Sequence, residues 1–238
     1  NADGESYVAY VFAHETGSDS MIQCGTFDSD GSGNATIDLG WEPQWVLNKV
    51  SDAADNWTIA DSMRGFNAIG DQRLYADVNN QEAAATTFKT TSTGYTVTSG
   101  ETSKTYIYVA IRRPNMKTHT DATEVFAMDT RGSTGDGLAP SFRSTFPIDF
   151  GLNIAASKEV STRLLHSSTH DFNTSAEHHN QTNRGMDYNN GFIDFTSVVA
   201  TNVAYMFKRA KGFLDIVAYE GTGSARTVAH GLGVAPEM

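Results

Sequence analysis

Several groups of side chains in this sequence have the types and spacing to do chemistry. The run Asp28-x-Asp30-x-Ser32-Gly33-Asn34 sets oxygen ligands at alternate positions with glycine sixth, as a loop for a hard cation does. Its twelfth position is Leu39 rather than a bidentate glutamate, so a polar hairpin turn is the expected structure. His166, His170, His178 and His179, with Asp171 and Glu177 among them, have a spacing that could hold a transition metal. The segment around them, 167–183, is otherwise mostly Ser, Thr, Asn and Gln, which reads as a long exposed loop. His14, His119 and His230 stand alone. Cys24, the sole cysteine, lies in the alternating run 21–27 and is expected to be a small buried hydrophobe. It leaves no partner for an intrachain disulfide.

Catalysis finds little support. There is no Gly-x-Ser-x-Gly, and Cys24 has no neighbouring base. The 28 Asp and Glu residues form no distinctive motif, although two facing carboxylates would be enough to cleave a glycan. The expectation is a protein that is not an enzyme, with no catalytic, cofactor-binding or metal residues. Trp45 and Trp57 fall in strand-like runs and are expected in a core, and Trp41 at a packed corner. Arg112 and Arg113 are expected to pair with carboxylates. The sequons at Asn34, Asn56, Asn173 and Asn180 would matter only in a secretory pathway.

Composition narrows the partners. The chain has 238 residues, 39% hydrophobic and 19% charged, enough for one large or two small domains. A net charge of −11 disfavours nucleic acid and gives no polybasic membrane patch. No apolar run reaches the roughly 20 residues of a membrane-spanning helix.

The elements that must position these residues read as strand after strand. Expected strands are 7–13, 20–27, 35–39, 44–50, 57–61, 94–98, 106–111, 124–127, 158–165, 192–196, 202–208 and 213–219. In the clearest, Ile107, Val109 and Ile111 share one face and Tyr106 and Tyr108 the other. Residues 80–86 could form a short helix capped by Asn80, and 197–210 is open between strand and helix. The fold class is all-β, an antiparallel β-sandwich of jelly-roll or lectin-like type.

Part of the chain returns later in itself. Tyr7-Val8-Ala9-Tyr10-Val11-Phe12 resembles Asn202-Val203-Ala204-Tyr205-Met206-Phe207, with Ala9 and Ala204 separated by 195 positions. Leu39-Gly40-x-x-Pro43 returns as Leu232-Gly233-x-x-Pro236, with the prolines 193 apart. Two ordered matches at nearly one offset imply tandem repeated units. On this reading residues 1–201 are one unit, with a possible subdivision near 114, and 202–238 begin the next. Both ends of the chain are then expected to be cuts in a longer polypeptide. The comparison also lowers the interest of two candidates. The later turn, Glu220-Gly221-Thr222-Gly223-Ser224, lacks the Asp pair, and Val234 stands where Trp41 would.

A family resemblance rests on residues 7–12, Leu39-Gly40-Trp41-Glu42-Pro43-Gln44-Trp45-Val46-Leu47, Asp61-Ser62-Met63-Arg64-Gly65, residues 106–114, and Met206-Phe207-Lys208-Arg209-Ala210 with the Gly-Thr-Gly-Ser-Ala-Arg-Thr run after it. These strings resemble a repeated domain of unknown function in tail-fibre and related virion proteins of marine bacteriophages, cyanophages among them. The middle, 115–190, matches less clearly. The resemblance implies a virion location after synthesis in the host cytoplasm. It implies a tail fibre or adhesin that mediates host attachment, with other virion proteins and a host surface glycan or protein as partners. Fibres of this kind are commonly trimeric, so a homotrimer is expected. The alternatives are an architectural spacer or capsid decoration protein without ligand, and a host polysaccharide depolymerase.

Overall fold

The computed structural model describes residues 4, 6, 9, 11–17, 19–130, 139–154, 158–165, 168–171, 179–180, 184–194 and 202–237. The described residues form eighteen strands and a single 3-10 turn, so the protein is all-β as its alternation requires. Every pairing between strands is antiparallel.

The strands fall into two lobes. The first contains β1 (Ile22–Asp28), β2 (Ala35–Asp38), β3 (Pro43–Val50), β4 (Thr58–Asp61), β5 (Asp71–Tyr75), β6 (Ala83–Ala85), β7 (Phe88–Thr91), β8 (Gly94–Val97) and β9 (Thr105–Arg112). They build a six-stranded sheet, order β1-β9-β3-β4-β5-β6, and a three-stranded sheet, order β2-β8-β7. After the 3-10 turn Ala122–Glu124, capped by the Asp121 carboxylate, the second lobe begins. It contains β10 (Phe126–Thr130), β11 (Phe142–Arg143), β12 (Phe150–Ile154), β13 (Lys158–Thr162), β14 (Ser168–Asp171), β15 (His179–Asn180), β16 (Arg184–Tyr188), β17 (Gly191–Asp194) and β18 (Val203–Phe207). Its sheets run β10-β18-β12-β13-β14-β15 and β11-β17-β16. Counted nine strands on, these are the orders of the first lobe.

Each lobe has its own core between its large and small sheets. Val46, Ala60 and Ala110 of the first large sheet meet Ile37, Phe88, Tyr95 and Val97 of the small one. Ala204 and Met206 meet Phe142, Met186 and Phe192 in the second lobe. Two inner faces closing on one apolar layer make a β-sandwich.

The structure departs from the expected elements at definite places. Residues 83–85, expected in a helix, form edge strand β6, whose partner is β5. Three consecutive alanines carry no helix-period apolar stripe, and the sheet supplies the hydrogen bonds. Of the expected strand 7–13, the described residues 9 and 11–13 are not in a sheet, and neither is 213–219, where one bridge joins Ala210 to Leu214. The open stretch 197–210 contains strand β18, and its residues 197–201 lie outside the described residues. No helix among the described residues is long and apolar enough to cross a membrane.

Candidate functional site

Pairing register decides which side chains leave the cores. Ile22, Cys24, Trp45, Leu47, Ile59, Leu74, Ile107, Val109 and Ile111 are matched across strands on the outer face of the first large sheet. All are half-buried. The core side of β9 carries Tyr106 and Ala110, and Tyr108 packs against the same core. The second large sheet repeats this arrangement. Phe126, Met128, Phe150, Leu152, Ile154, Val203, Tyr205 and Phe207 lie on its outer face. Their rings touch: Phe126 and Phe207 centroids are 5.0 Å apart, Phe150 and Phe207 5.4 Å. Met128 is 63% exposed, and the neighbouring Phe213 47%. An outer sheet face facing only water would alternate to polar residues; these sheets are apolar on both faces.

The lobes meet through a ladder of charges. Arg113 follows β9 and bonds Glu42, just before β3, at 3.1 Å, and also Asp149, just before β12 in the second lobe. Arg209 follows β18 and reaches back to both Glu42 oxygens at 3.0 Å. Its Nε bonds Asp215 at 2.6 Å, and its backbone N–H donates to Asp149 at 2.8 Å. Arg163 adds a contact of 3.6 Å to Asp149 and donates to the Ile148 carbonyl. The side chains of Glu42, Asp149, Asp215 and Arg209 are each at most 9% exposed. Burial alone would weaken the Arg209 charge, but Glu42, Asp215 and Asp149 outweigh it and hold the guanidinium above its ordinary value. Three carboxylates face three guanidinium groups, so the buried charge is balanced and its polar atoms are engaged. The chemistry of this site is cohesion between lobes. A groove of about 490 Å³ runs beside it, lined by Trp41, Arg112, Met116, Lys211 and His230 among others.

The other sequence candidates disperse. Asp30 is a turn former: its carboxylate accepts from the Ser32 and Asn34 backbone N–H groups at 2.8 Å, and these bonds hold its pKa below the usual carboxylate value. Asp28 accepts from the Thr105 hydroxyl. His166, His178 and Glu177 lie outside the described residues, as do the side chains of His170, Asp171 and His179. Cys24 is half-buried on an outer sheet face rather than in a core, and burial raises its thiol pKa. Trp41 is in the first core, its indole N–H donating to Ser20 at 2.8 Å. Trp45 and Trp57, expected in a core, are half-buried instead. Trp45 pairs with Ile111, so strand parity turns it away from Val46 and the core.

A second groove, of about 670 Å³, lies along the small sheet of the first lobe. Thr36, Lys89, Thr96 and Thr98 line it, with Tyr219 at one side. Tyr219 is 60% exposed and has the Arg226 guanidinium 5.8 Å above its ring. The signal available in the sequence for Glu42, Asp149 and Arg209 was weak. Glu42 and Asp149 are single charges flanking strands and Arg209 follows Lys208 after β18, so only the partner lobe gives each its meaning.

A family model described as a domain of unknown function (DUF7483) matches residues 1–113. That span takes in every strand of the first lobe. No curated protein and no solved structure matches the chain.

Proposed function

We propose that this chain is a non-enzymatic structural module of a bacteriophage virion, part of a tail fibre or adhesin that mediates host attachment and is built of tandem repeated units. The observation that carries the reading is the pair of large sheets apolar on both faces at matching positions. A face of this kind is made to be covered by protein. It fits a homotrimer in which copies of the chain, or other virion proteins, lie against the outer faces. The similarity of residues 7–12, 39–47, 61–65, 106–114 and 206–210 to repeated domains of marine phage fibres gives the assembly its setting. The domain family matched at 1–113 is itself of unknown function and is compatible with that setting. The threonine-lined groove with Tyr219 would be the surface offered to a host glycan or protein. Hydroxyl and amide groups beside an exposed ring suit a polyhydroxylated ligand.

The test is competition. Purified chain, added to host cells before infection, is expected to bind them and to lower phage adsorption in proportion to its occupancy. A chain that assembles but binds no host surface would favour the second reading, a spacer or decoration protein. Release of reducing ends from host polysaccharide would overturn the non-enzymatic reading.

A further inference from the structure

The two lobes share more than a strand order. Arg112 N–H bonds the Met21 carbonyl, just before β1, and Lys208 N–H bonds the Val125 carbonyl, just before β10, both at 2.9 Å. That fixes Arg112 and Lys208 as one position, and therefore Arg113 and Arg209 as the next. Cross-strand partners extend the correspondence. Asn48 faces Tyr108 on β9, and Asn153 faces Ala204 on β18, so these two buried asparagines coincide. Leu47 and Leu152 precede them. Tyr95 opposite Ile37 corresponds to Phe192 opposite Phe142, and each ring follows a glycine, Gly94 or Gly191. A methyl group on either glycine would meet the carbonyl of its partner, Ile37 or Phe142. The spacing differs in several places, one of them beside the charge ladder. Two extra residues lie between Glu42 and Trp45, where the first lobe has a register shift that the second lacks.

We infer that residues 126–209 are a second copy of the module matched at 1–113, and that Arg113 and Arg209 are one coupling position that engages its own copy and the segment that follows. Arg113 holds Glu42 of its own copy and Asp149 of the next. Arg209 takes Asp149 of its own copy through its backbone N–H and Asp215 of the following segment through its side chain. Arg113 and Arg209 are 96 residues apart, and twice that separation falls near the 193 to 195 offset of the sequence matches. The sequence period is therefore two modules. Residues 210–237 then open a third copy and dock on the first, where Ser92 N–H bonds the Ala218 carbonyl.

The partner this surface fits is the following copy of the same module, met through a carboxylate: Asp149 just before β12 for Arg113, and Asp215 for Arg209. The inference rests on strand order and register and extends the repeated-unit part of the proposed function; its failure would leave host attachment untouched.

Arg113→Met and Arg209→Met variants of the 238-residue chain test it by calorimetry and by trypsin cleavage after Lys117, in the segment joining the lobes. The wild-type chain should unfold in one transition and resist that cut. Each variant should show two separated transitions, with cleavage at Lys117 accelerated roughly tenfold as the joint opens locally. One undivided transition with cleavage unchanged in both variants would overturn the coupling role. So would simultaneous loss of both lobes in both variants, since it would make these arginines parts of the cores. If one variant does not fold, the other carries the test, because Arg113 and Arg209 hold the same ladder from opposite sides.

Discussion

Tyr95 shows how a single side chain organises the first lobe. It is fully buried, packs edge-on against Phe27, Phe66 and Tyr108, and donates its hydroxyl proton to Asn48 Oδ1 at 2.7 Å. Burial, with Tyr108 beside it, keeps that phenol protonated by raising its pKa well above the ordinary value. The Asn48 amide nitrogen has no partner among the described residues, so its oxygen depends on Tyr95. Tyr95→Phe is therefore expected to cost about 1–3 kcal/mol in urea unfolding, the cost of leaving a buried polar group unmade. Adding Asn48→Leu should recover part of that loss. A neutral Tyr95→Phe would contradict the account of this core. Little of it was readable beforehand, because one Tyr and one Asn 47 positions apart carry no local signal. Trp41 was legible as a packed corner. Trp45 was not placed correctly, because a strand-like run does not say which face meets the core.

At the scale of elements, the hairpins that begin β8 and β17 put glycine against a carbonyl of the neighbouring strand. Gly94→Ala and Gly191→Ala should each force that pair apart. Either change is expected to cost about 1–3 kcal/mol, as overpacking does, and to act only on its own lobe. Hydrogen exchange would check this: amides of β2 and β8 should lose protection in the first variant, those of β11 and β17 in the second. Loss spread equally over both lobes would contradict the separation of cores. Strands with strong alternation, such as β1, β3 and β9, were legible within a residue or two. The strand β5, Asp71-Gln72-Arg73-Leu74-Tyr75, was not, because its polar residues hide the period and its place is set by pairing to β4 and β6. Ala83–Ala85 failed for the opposite reason: alanine favours helix locally, and sheet pairing overrides it.

For the whole molecule, the proposed duplication was half legible in the sequence. The matches between 7–43 and 202–236 pointed to a period, but gave no sign of the intermediate copy that the strand order points to. There Asp149 stands at the position of Glu42 and Phe192 at that of Tyr95, with the register shift near Pro43 absent. Charge and packing were kept while residue identity was not, and only strand order recovers that kind of likeness. Two sandwiches with separate cores are tied by a buried charge ladder and are apolar on their outer faces. Among the buried carboxylates of the described residues, Glu42, Asp149 and Asp215 are held by arginines of the ladder that joins the lobes, and Asp71 by Arg73 within the first lobe. The claim that most needs testing is that this assembly belongs to the attachment apparatus of a virus particle. Gold-labelled antibody raised against the chain, applied to intact particles and viewed by electron microscopy, tests it directly. Label along the tail fibres is the predicted result, and label on the capsid wall, or none on the particle, would contradict it.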